Sequence, residues 1–359
     1  MTDSDRKTAA PFPQYITGTA KRAPDRPELP EHNRDRETAA DGYILDGELL
    51  DAVNVALLLG NPLLLTGEPG TGKTQLAHRI AWELGYGQAL VFNTKSTSTW
   101  RDLLYSFDTL GRFHAAHVKG SQDNLDYLSF NALGLAILRS KSAAEVAAWL
   151  GSQADRRKTS AAAGSERRRS GQRSVVLIDE IDKAGRDFPN DLLYEVDRMA
   201  FRVNELRTAE VAASPAHRPV LVITSNSERN LPDAFLRRCI YHHIDFVDQP
   251  PKPAKESMPA SDRLRDIITV RVDLKQCDPE LVTGSLAFFR AVRASAGLLK
   301  KPSTAELIEW VRVLAQSACK DPRAERKWLL TALPTLAKID RDRKRLGKFI
   351  EEYLTGKAR

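Results

Sequence analysis

Residues 62–85 read PLLLTGEPGTGKTQLAHRIAWELG. Leu63, Leu64 and Leu65 are apolar at successive positions, the pattern of a strand buried on both faces of a parallel sheet. GEPGTGKT, residues 67–74, then matches G-x-x-x-x-G-K-[ST]. Gly67, Gly70 and Gly72 let backbone N–H groups turn inward around phosphate oxygens. TQLAHRIAWELG returns to helical spacing and stops at Gly85, so the positive end of a helix dipole faces the same loop. Strand, glycine loop and helix in this order predict a phosphate site at the head of an α/β domain. Lys73 is placed to neutralise β- and γ-phosphates, and the Thr74 hydroxyl to take one position on Mg²⁺. The candidate ATP contacts are Gly67, Glu68, Pro69, Gly70, Thr71, Gly72, Lys73, Thr74 and Gln75.

Outward from this stretch the alternation continues. DAVNVALLL (51–59) has one apolar helical face; ALVFN (89–93), SVVLIDE (174–180) and PVLVITSN (219–226) are short strand-like runs. Strands alternating with helices predict a parallel sheet, which binds ligands at the C-terminal ends of its strands. VVLIDEID (175–182) delivers two acids to that edge: Asp179 to hold Mg²⁺, and Glu180 to orient and deprotonate the attacking water. Asp182 and Lys183 read equally well as surface capping. Asn226 ends a neighbouring strand, within reach of the water or the γ-phosphate. In LPDAFLRRC (231–239), Pro232 and Asp233 start a short helix, and Arg237 and Arg238 fall at its end. An arginine at a nucleotide edge stabilises phosphoryl-transfer charge; pointing outward, it serves a neighbouring subunit.

The remaining chain is organised around these motifs. Residues 1–40 are polar and proline-rich and read as an extended arm. RDLLYSF reads as helix, the polar stretch from Asp108 to Asn131 as a protruding hairpin, and ALGLAIL and SAAEVAAWLG as helices again. Beyond QPPKPAKESMPA (249–260), a linker, only helical patterns follow, ending in a basic helix near 341–355. The 359 residues, 42% hydrophobic and 28% charged, suit a soluble chain with a large core. No apolar run approaches the roughly 18 residues of a membrane span. MTDSDRKTAAPFPQ lacks the apolar core of a secretory signal. Cys239, Cys277 and Cys319 lack disulfide or metal-ligand spacing, and a cytoplasmic location is expected. The net charge of +7 is local: residues 154–173 carry seven basic and two acidic residues, and residues 320–359 twelve and six. The rest of the chain sums to −4, so the basic segments read as a mobile loop and a solvated helix face.

Taken together, the four motifs resemble an AAA+ ATPase. KSTSTWRDLLYSFDTLGRFHAAH, LIDEIDKAGRDFPNDLLYEVDRM, ITSNSERNLPDAFLRRCIYHHIDF and KKPSTAELIEWVRVL look like its MoxR-type branch over roughly residues 41–320. The resemblance implies an α/β nucleotide-binding domain (41–250) with a parallel sheet, followed by a helical lid and basic C-terminal helix (251–359). ATP would sit between them and against the next subunit of a ring, usually a hexamer. Residues 105–131 would be a hairpin-bearing insertion in helix 2. There Tyr105, Phe107, Phe113, Tyr127 and Phe130 are candidates for client contact. Lys73 and Thr74 match Walker A, Asp179 and Glu180 Walker B, Asn226 sensor 1, and Arg238, with Arg237 beside it, the arginine finger. Asn93 matches a polar residue that restrains Glu180. KKPSTAEL departs from the family: no arginine occupies the sensor 2 position, leaving Lys300 or Lys301 as substitutes. Such proteins remodel a partner containing a von Willebrand factor A domain. The competing expectation is a nucleic-acid motor or clamp-handling ATPase, suggested by the basic loop and tail. Aromatic residues do not interleave the basic runs, as a single-strand stacking platform wants, so nucleic acid is the less expected partner.

Overall fold

The computed structural model describes residues 39–117, 123–150, 171–206, 208–226, 231–246, 262–274, 278–295, 297–317 and 319–356. Most of the arm 1–40, most of the basic segment 154–173, the linker 249–260, residues 118–122 of the insertion and Cys277 lie outside them. The chain divides into two units. One comprises residues 45–68 and 72–244; the other comprises residues 69–71 and the described residues of 1–44 and 245–359.

In the first unit α1 (Gly47–Leu59) is capped by Asp46, whose carboxylate accepts from Leu49 N–H at 2.7 Å. It buries Leu49, Val53 and Ala56. Strand β1 (Leu63–Gly67) follows, buried at every position, and α2 (Lys73–Glu83) begins directly after the glycine loop. β2 (Leu90–Asn93) leads into α3 (Trp100–Leu104), whose Thr99 and Asp102 form a capping box. β3 (Tyr105–Phe107) and β4 (Leu128–Phe130) pair antiparallel, Tyr105 opposite Phe130, and flank α4 (Thr109–His117). RDLLYSF is therefore helical only to Leu104. Tyr-Ser-Phe alternates with the period of a strand, and its pairing partner lies more than twenty residues on, beyond the reach of local pattern.

After β4, α5 (Ala132–Arg139) returns against α3. A Cβ on Gly134 would stand 2.0 Å from the Leu104 carbonyl oxygen, so only glycine permits this approach. α6 (Ala143–Leu150), β5 (Val175–Asp179), α7 (Phe188–Asp191), α8 (Leu193–Arg198), the short pair β6 (Ala200–Phe201) and β7 (Val211–Ala212), β8 (Val220–Thr224), α9 (Asp233–Leu236) and β9 (Ile240–Ile244) complete the unit.

Five parallel strands form the sheet in the order β2-β5-β8-β1-β9. Leu64, Val176, Ile178, Leu221 and Ile223 pack in its core with Leu133, Ala136 and Ile137 of α5. β9, sequence IYHHI, is the strand the hydropathy pattern does not announce. It lies at the sheet edge, so its inward face needs few apolar residues, and it pairs with β1 along its whole length. The Thr66 hydroxyl also contacts Tyr241 OH and His243 Nδ1, each at 2.9 Å.

The second unit is helical among its described residues: α10 (Arg263–Arg271), α11 (Pro279–Ala294), α12 (Thr304–Ala315), α13 (Arg326–Thr331), α14 (Leu333–Leu336) and α15 (Asp340–Leu354). Its core holds Leu281, Phe288, Phe289, Leu307, Trp310, Val311 and Ile350. α15 packs through Leu346 and Ile350, while Arg341, Arg343, Lys344, Arg345 and Lys348 are exposed. Asp342, 1% exposed, accepts from the backbone N–H groups of Leu299 and Lys300 at 3.0 and 2.9 Å. Lys300 and Lys301 are both exposed. Among the described residues, no helix is long and apolar enough to cross a membrane.

Candidate functional site

The strand order puts β5, β8 and β1 side by side, so Gly67, Asp179 and Thr224 end their strands at one edge of the sheet. The glycine loop leaves β1 with Gly67, Gly70 and Gly72 at φ 142°, 77° and 92°, a backbone that side-chain-bearing residues resist. Glu68, Pro69 and Gly70 are exposed; Thr71, Gly72, Thr74 and Gln75 are half-buried. Lys73 is buried, and its ammonium donates to the carbonyls of Gly67 and Glu68 at 2.8 and 2.9 Å. Burial pushes its pKa down from the usual lysine value, while Asp179, Asp182, Glu180 and Glu68 act to raise it. Buried cation and surrounding carboxylates thus lie together at the strand ends.

Thr74 and Asp179 meet: the hydroxyl donates to Asp179 Oδ1 at 2.9 Å. The same oxygen accepts from Thr224 Oγ1 at 2.6 Å, and Thr224 Oγ1 in turn accepts from Glu180 N–H at 2.8 Å. Glu180 has φ 54° and ψ 55°, left-handed and costly for a residue with a side chain. The fully buried Thr224 hydroxyl anchors that conformation. The Glu180 carboxylate accepts from Asn226 Nδ2 at 3.3 Å through Oε1 and from Lys183 Nζ through Oε2. Asn226 N–H donates to Asp182 Oδ1 at 3.0 Å. The hydrogen bond from Lys183 to Glu180 is the main cause raising the lysine pKa. Burial lowers the pKa of His78, one turn into α2, against an opposing pull from Asp179.

Sequence reasoning brought Thr74, Asp179, Glu180 and Asn226 forward, and these four share one hydrogen-bond chain. It passed over Thr224, whose only signal was a hydroxyl two residues before Asn226, and left Lys183 open between a site role and surface capping. Asn93 pairs in register with Asp179, but its side chain is exposed and makes no hydrogen bond to Glu180 among the described residues. Arg238 is not free: its Nε donates to Asp197 Oδ2 and a terminal nitrogen to the Ala234 carbonyl, both at 2.8 Å. Arg237 is exposed at the end of α9. Arg218, not singled out in the sequence, donates to the Val196 and Asp197 carbonyls near the end of α8, both at 3.1 Å.

The five insertion aromatics do not form one surface. Tyr105 is buried and donates to Glu205 Oε2 at 3.0 Å; Phe130 packs against Trp149 and Phe201. Phe107 and Tyr127 are half-buried. Phe113, 63% exposed, is joined on α4 by Leu110, 72% exposed, which the aromatic pattern had not singled out.

The donor set fits Mg²⁺. A hydroxyl and a carboxylate converge beside the glycine loop, and hard oxygen donors with phosphate and water completing the shell suit this ion. Among the described residues no cluster of three or more His, Cys, Asp or Glu could hold a metal by itself, so a protein-only cage for another ion is not what the site offers.

A family model described as the ATPase family associated with various cellular activities (AAA) matches residues 63–246. No curated protein matches the chain. Similar solved structures include the FIGL-1 AAA domain in complex with ADP, at 14% identity over 91% of this chain and 99% of that one, with TM-score 0.40. NtrX from Brucella abortus in complex with ADP is 13% identical over 90% of this chain and 64% of that one, with TM-score 0.44. The Thermotoga maritima RuvB Holliday junction branch migration motor is 16% identical over 85% and 74%, with TM-score 0.42.

Proposed function

This chain belongs to the ATPase family associated with various cellular activities (AAA), and we propose that it hydrolyses ATP with Mg²⁺ to remodel or activate a partner protein, as a MoxR-type member. The observation that carries the hydrolytic part is the continuous chain Thr74–Asp179–Thr224–Glu180–Asn226 beside the glycine loop. In this proposal the loop from Gly67 to Gln75 takes the phosphates through backbone N–H groups and the N-terminus of α2. Lys73 exchanges its two carbonyl partners for phosphate oxygens. Thr74 and Asp179 would hold Mg²⁺, which when bound screens phosphate charge. Glu180 receives the proton of the attacking water, and Asn226, already on the carboxylate, orients the same water. Arg238 completes a neighbour's site in a head-to-tail ring, probed below by subunit mixing.

Residues 41–250 would be the nucleotide-binding domain and 251–359 the lid and C-terminal helix. Lys300 or Lys301 would stand where relatives carry sensor 2. The client surface would centre on Leu110 and Phe113 of α4, exposed apolar side chains that the fold itself does not bury. We assign the client to proteins with a von Willebrand factor A domain, on the sequence resemblance to the MoxR branch, and the location to the cytoplasm.

The test is nucleotide binding against turnover. Glu180→Gln should bind ATP like wild type and lose steady-state hydrolysis, because shape survives and basicity does not. Lys73→Ala should lose binding itself. Wild-type turnover in Glu180→Gln would refute the assignment.

A further inference from the structure

Lys183 sits in DEIDK, where it is indistinguishable from any solvated lysine. Its surroundings in the fold are specific. Ile181–Lys183 form a single 3₁₀ turn directly after Glu180, closed by Lys183 N–H donating to the Glu180 carbonyl at 2.9 Å. Ile181, 1% exposed, anchors the turn in the core. Asp182, its middle residue, is tied to Asn226 N–H. With both preceding residues fixed, the turn folds Lys183 back over the carboxylate of Glu180. Lys73, the other cation at these strand ends, is spent on the Gly67 and Glu68 carbonyls. Among the described residues, the carboxylate hydrogen bonds come from two donors on two elements: Asn226 on Oε1 and Lys183 on Oε2.

We infer that Lys183 is a positioning residue for hydrolysis: with Asn226 it fixes the plane and rotamer of the Glu180 carboxylate. This rests on the proposed role of Glu180 as base. One donor per oxygen is what orientation requires. A carboxylate held at one oxygen still swings about that contact, and the Asn226 contact, at 3.3 Å, is long. The lysine and glutamate side chains are 53% and 37% exposed. The pair therefore adds little to folding stability, and its worth lies in where it leaves the carboxylate. An exposed pair also lets the carboxylate lean toward a water without a buried charge being abandoned.

The experiment compares Lys183→Met, Lys183→Arg and Glu180→Gln, singly and as Glu180→Gln/Lys183→Met, in steady-state and single-turnover ATP hydrolysis, with thermal melting as the folding control. Lys183→Met should melt like wild type, lower kcat by about 5- to 10-fold and leave KM within about twofold, the signature of a group that acts on the reacting geometry rather than on binding. Lys183→Arg should restore most of kcat, since a cation again reaches Oε2. In the Glu180→Gln background Lys183→Met should cost nothing further. Unchanged or raised kcat in Lys183→Met overturns the inference, as does a loss confined to KM, which would make Lys183 a phosphate contact. An additional loss in the double variant also overturns it, placing the action of Lys183 elsewhere. An inactive Glu180→Gln beside a wild-type-like Lys183→Met removes this inference alone. A fully active Glu180→Gln removes the base assignment, and the inference with it.

Discussion

Replacing Thr224 with valine keeps the shape of a fully buried side chain and deletes one hydroxyl. That hydroxyl donates to Asp179 Oδ1 at 2.6 Å and accepts from Glu180 N–H at 2.8 Å. The first bond has a carboxylate acceptor, worth about 1.5–3 kcal/mol, and the second is an ordinary bond worth about 0.5–1.5 kcal/mol. Thr74 still donates to the same Asp179 oxygen, so the carboxylate is not orphaned and the lower half of the first range applies, whereas the Glu180 N–H loses its acceptor and the whole of the second does. The expected loss is about 2–4 kcal/mol. For a unit of this size that is a fall of roughly 5–10 °C in melting temperature. Thr224→Ser keeps both bonds and loses one buried methyl, about 1 kcal/mol.

The catalytic consequence is the larger one. Glu180 is held at φ 54° by the bond that Thr224→Val removes. A residue in that region relaxes when its anchor goes, and a displacement near 1 Å costs up to about 100-fold in rate. Thr224→Val should therefore hydrolyse ATP at least about tenfold more slowly than Thr224→Ser, read as kcat at saturating ATP beside melting curves of both variants. If the two variants melt within about 2 °C of each other and turn over equally, Thr224 is not the anchor of Glu180.

Gly134→Ala should destabilise the first unit by at least about 2 kcal/mol despite alanine's helix preference of about 1 kcal/mol, because its Cβ meets a backbone carbonyl at 2.0 Å; a melt equal to or above wild type would contradict the packing of α5 on α3. Burial pushes the Cys239 and Cys319 thiols up to about 12, so a Cys277→Ser variant should react with a disulfide reagent at pH 8 far more slowly when native than when unfolded in urea. The sign for stability follows: below pH 9 both states keep these thiols protonated, and above it the unfolded chain ionises first, so urea midpoints should fall as pH rises from 9 toward 12. Arg238→Ala should bind ATP and hydrolyse it poorly, and mixing with Lys73→Ala subunits should restore part of the activity; mixed rings that form and stay inactive would exclude a role across the interface.

Four of the five sheet strands, the glycine loop and the helices on either side were legible because each carries its own local signature. Leu63–Leu65, Val175–Ile178 and Leu221–Ile223 are buried on both faces, and uninterrupted hydropathy is what such burial selects. β9 was not legible because, unlike β2 at the other edge, its sequence IYHHI carries no apolar run: Tyr241 and His243 suit it through contacts with Thr66, which is 175 or more positions away in sequence. The start of the insertion failed for the same reason, since Tyr105 joins a strand only because Phe130 lies opposite. At the site, Asp179 and Glu180 were legible as acids at a strand end. Thr224 was not: a threonine inside a β-branched run reads as strand propensity, and only the adjacency of β5 and β8 turns its hydroxyl toward both acidic residues.

The way each site group is held follows from what it has to do. Asp179 and the backbone of Glu180 are fixed by Thr224, a hydroxyl with no exposure to water; such bonds break only with a desolvation cost, and these atoms do not need to move. The Glu180 carboxylate and the Arg238 guanidinium are held instead by ion pairs, to Lys183 and Asp197, with more than a third of each side chain exposed. Pairs in that setting contribute about 0–1 kcal/mol: in the proposed mechanism Lys183 stays on Glu180 Oε2 and steers the carboxylate without burying it, while the Arg238 pair opens to a phosphate at little cost. In the proposed ring, Asp197 and the Ala234 carbonyl hold the Arg238 guanidinium on its own protomer while no phosphate is near, and a nucleotide across an interface, carrying several negative charges, would outcompete a single exposed aspartate. Asp197→Asn would then leave turnover in the assembled ring close to wild type, whereas Arg238→Lys, which keeps the charge but loses the planar fork, would not. A large loss in Asp197→Asn with Arg238→Lys unaffected would instead make the pair a structural clasp and remove Arg238 from the proposed mechanism.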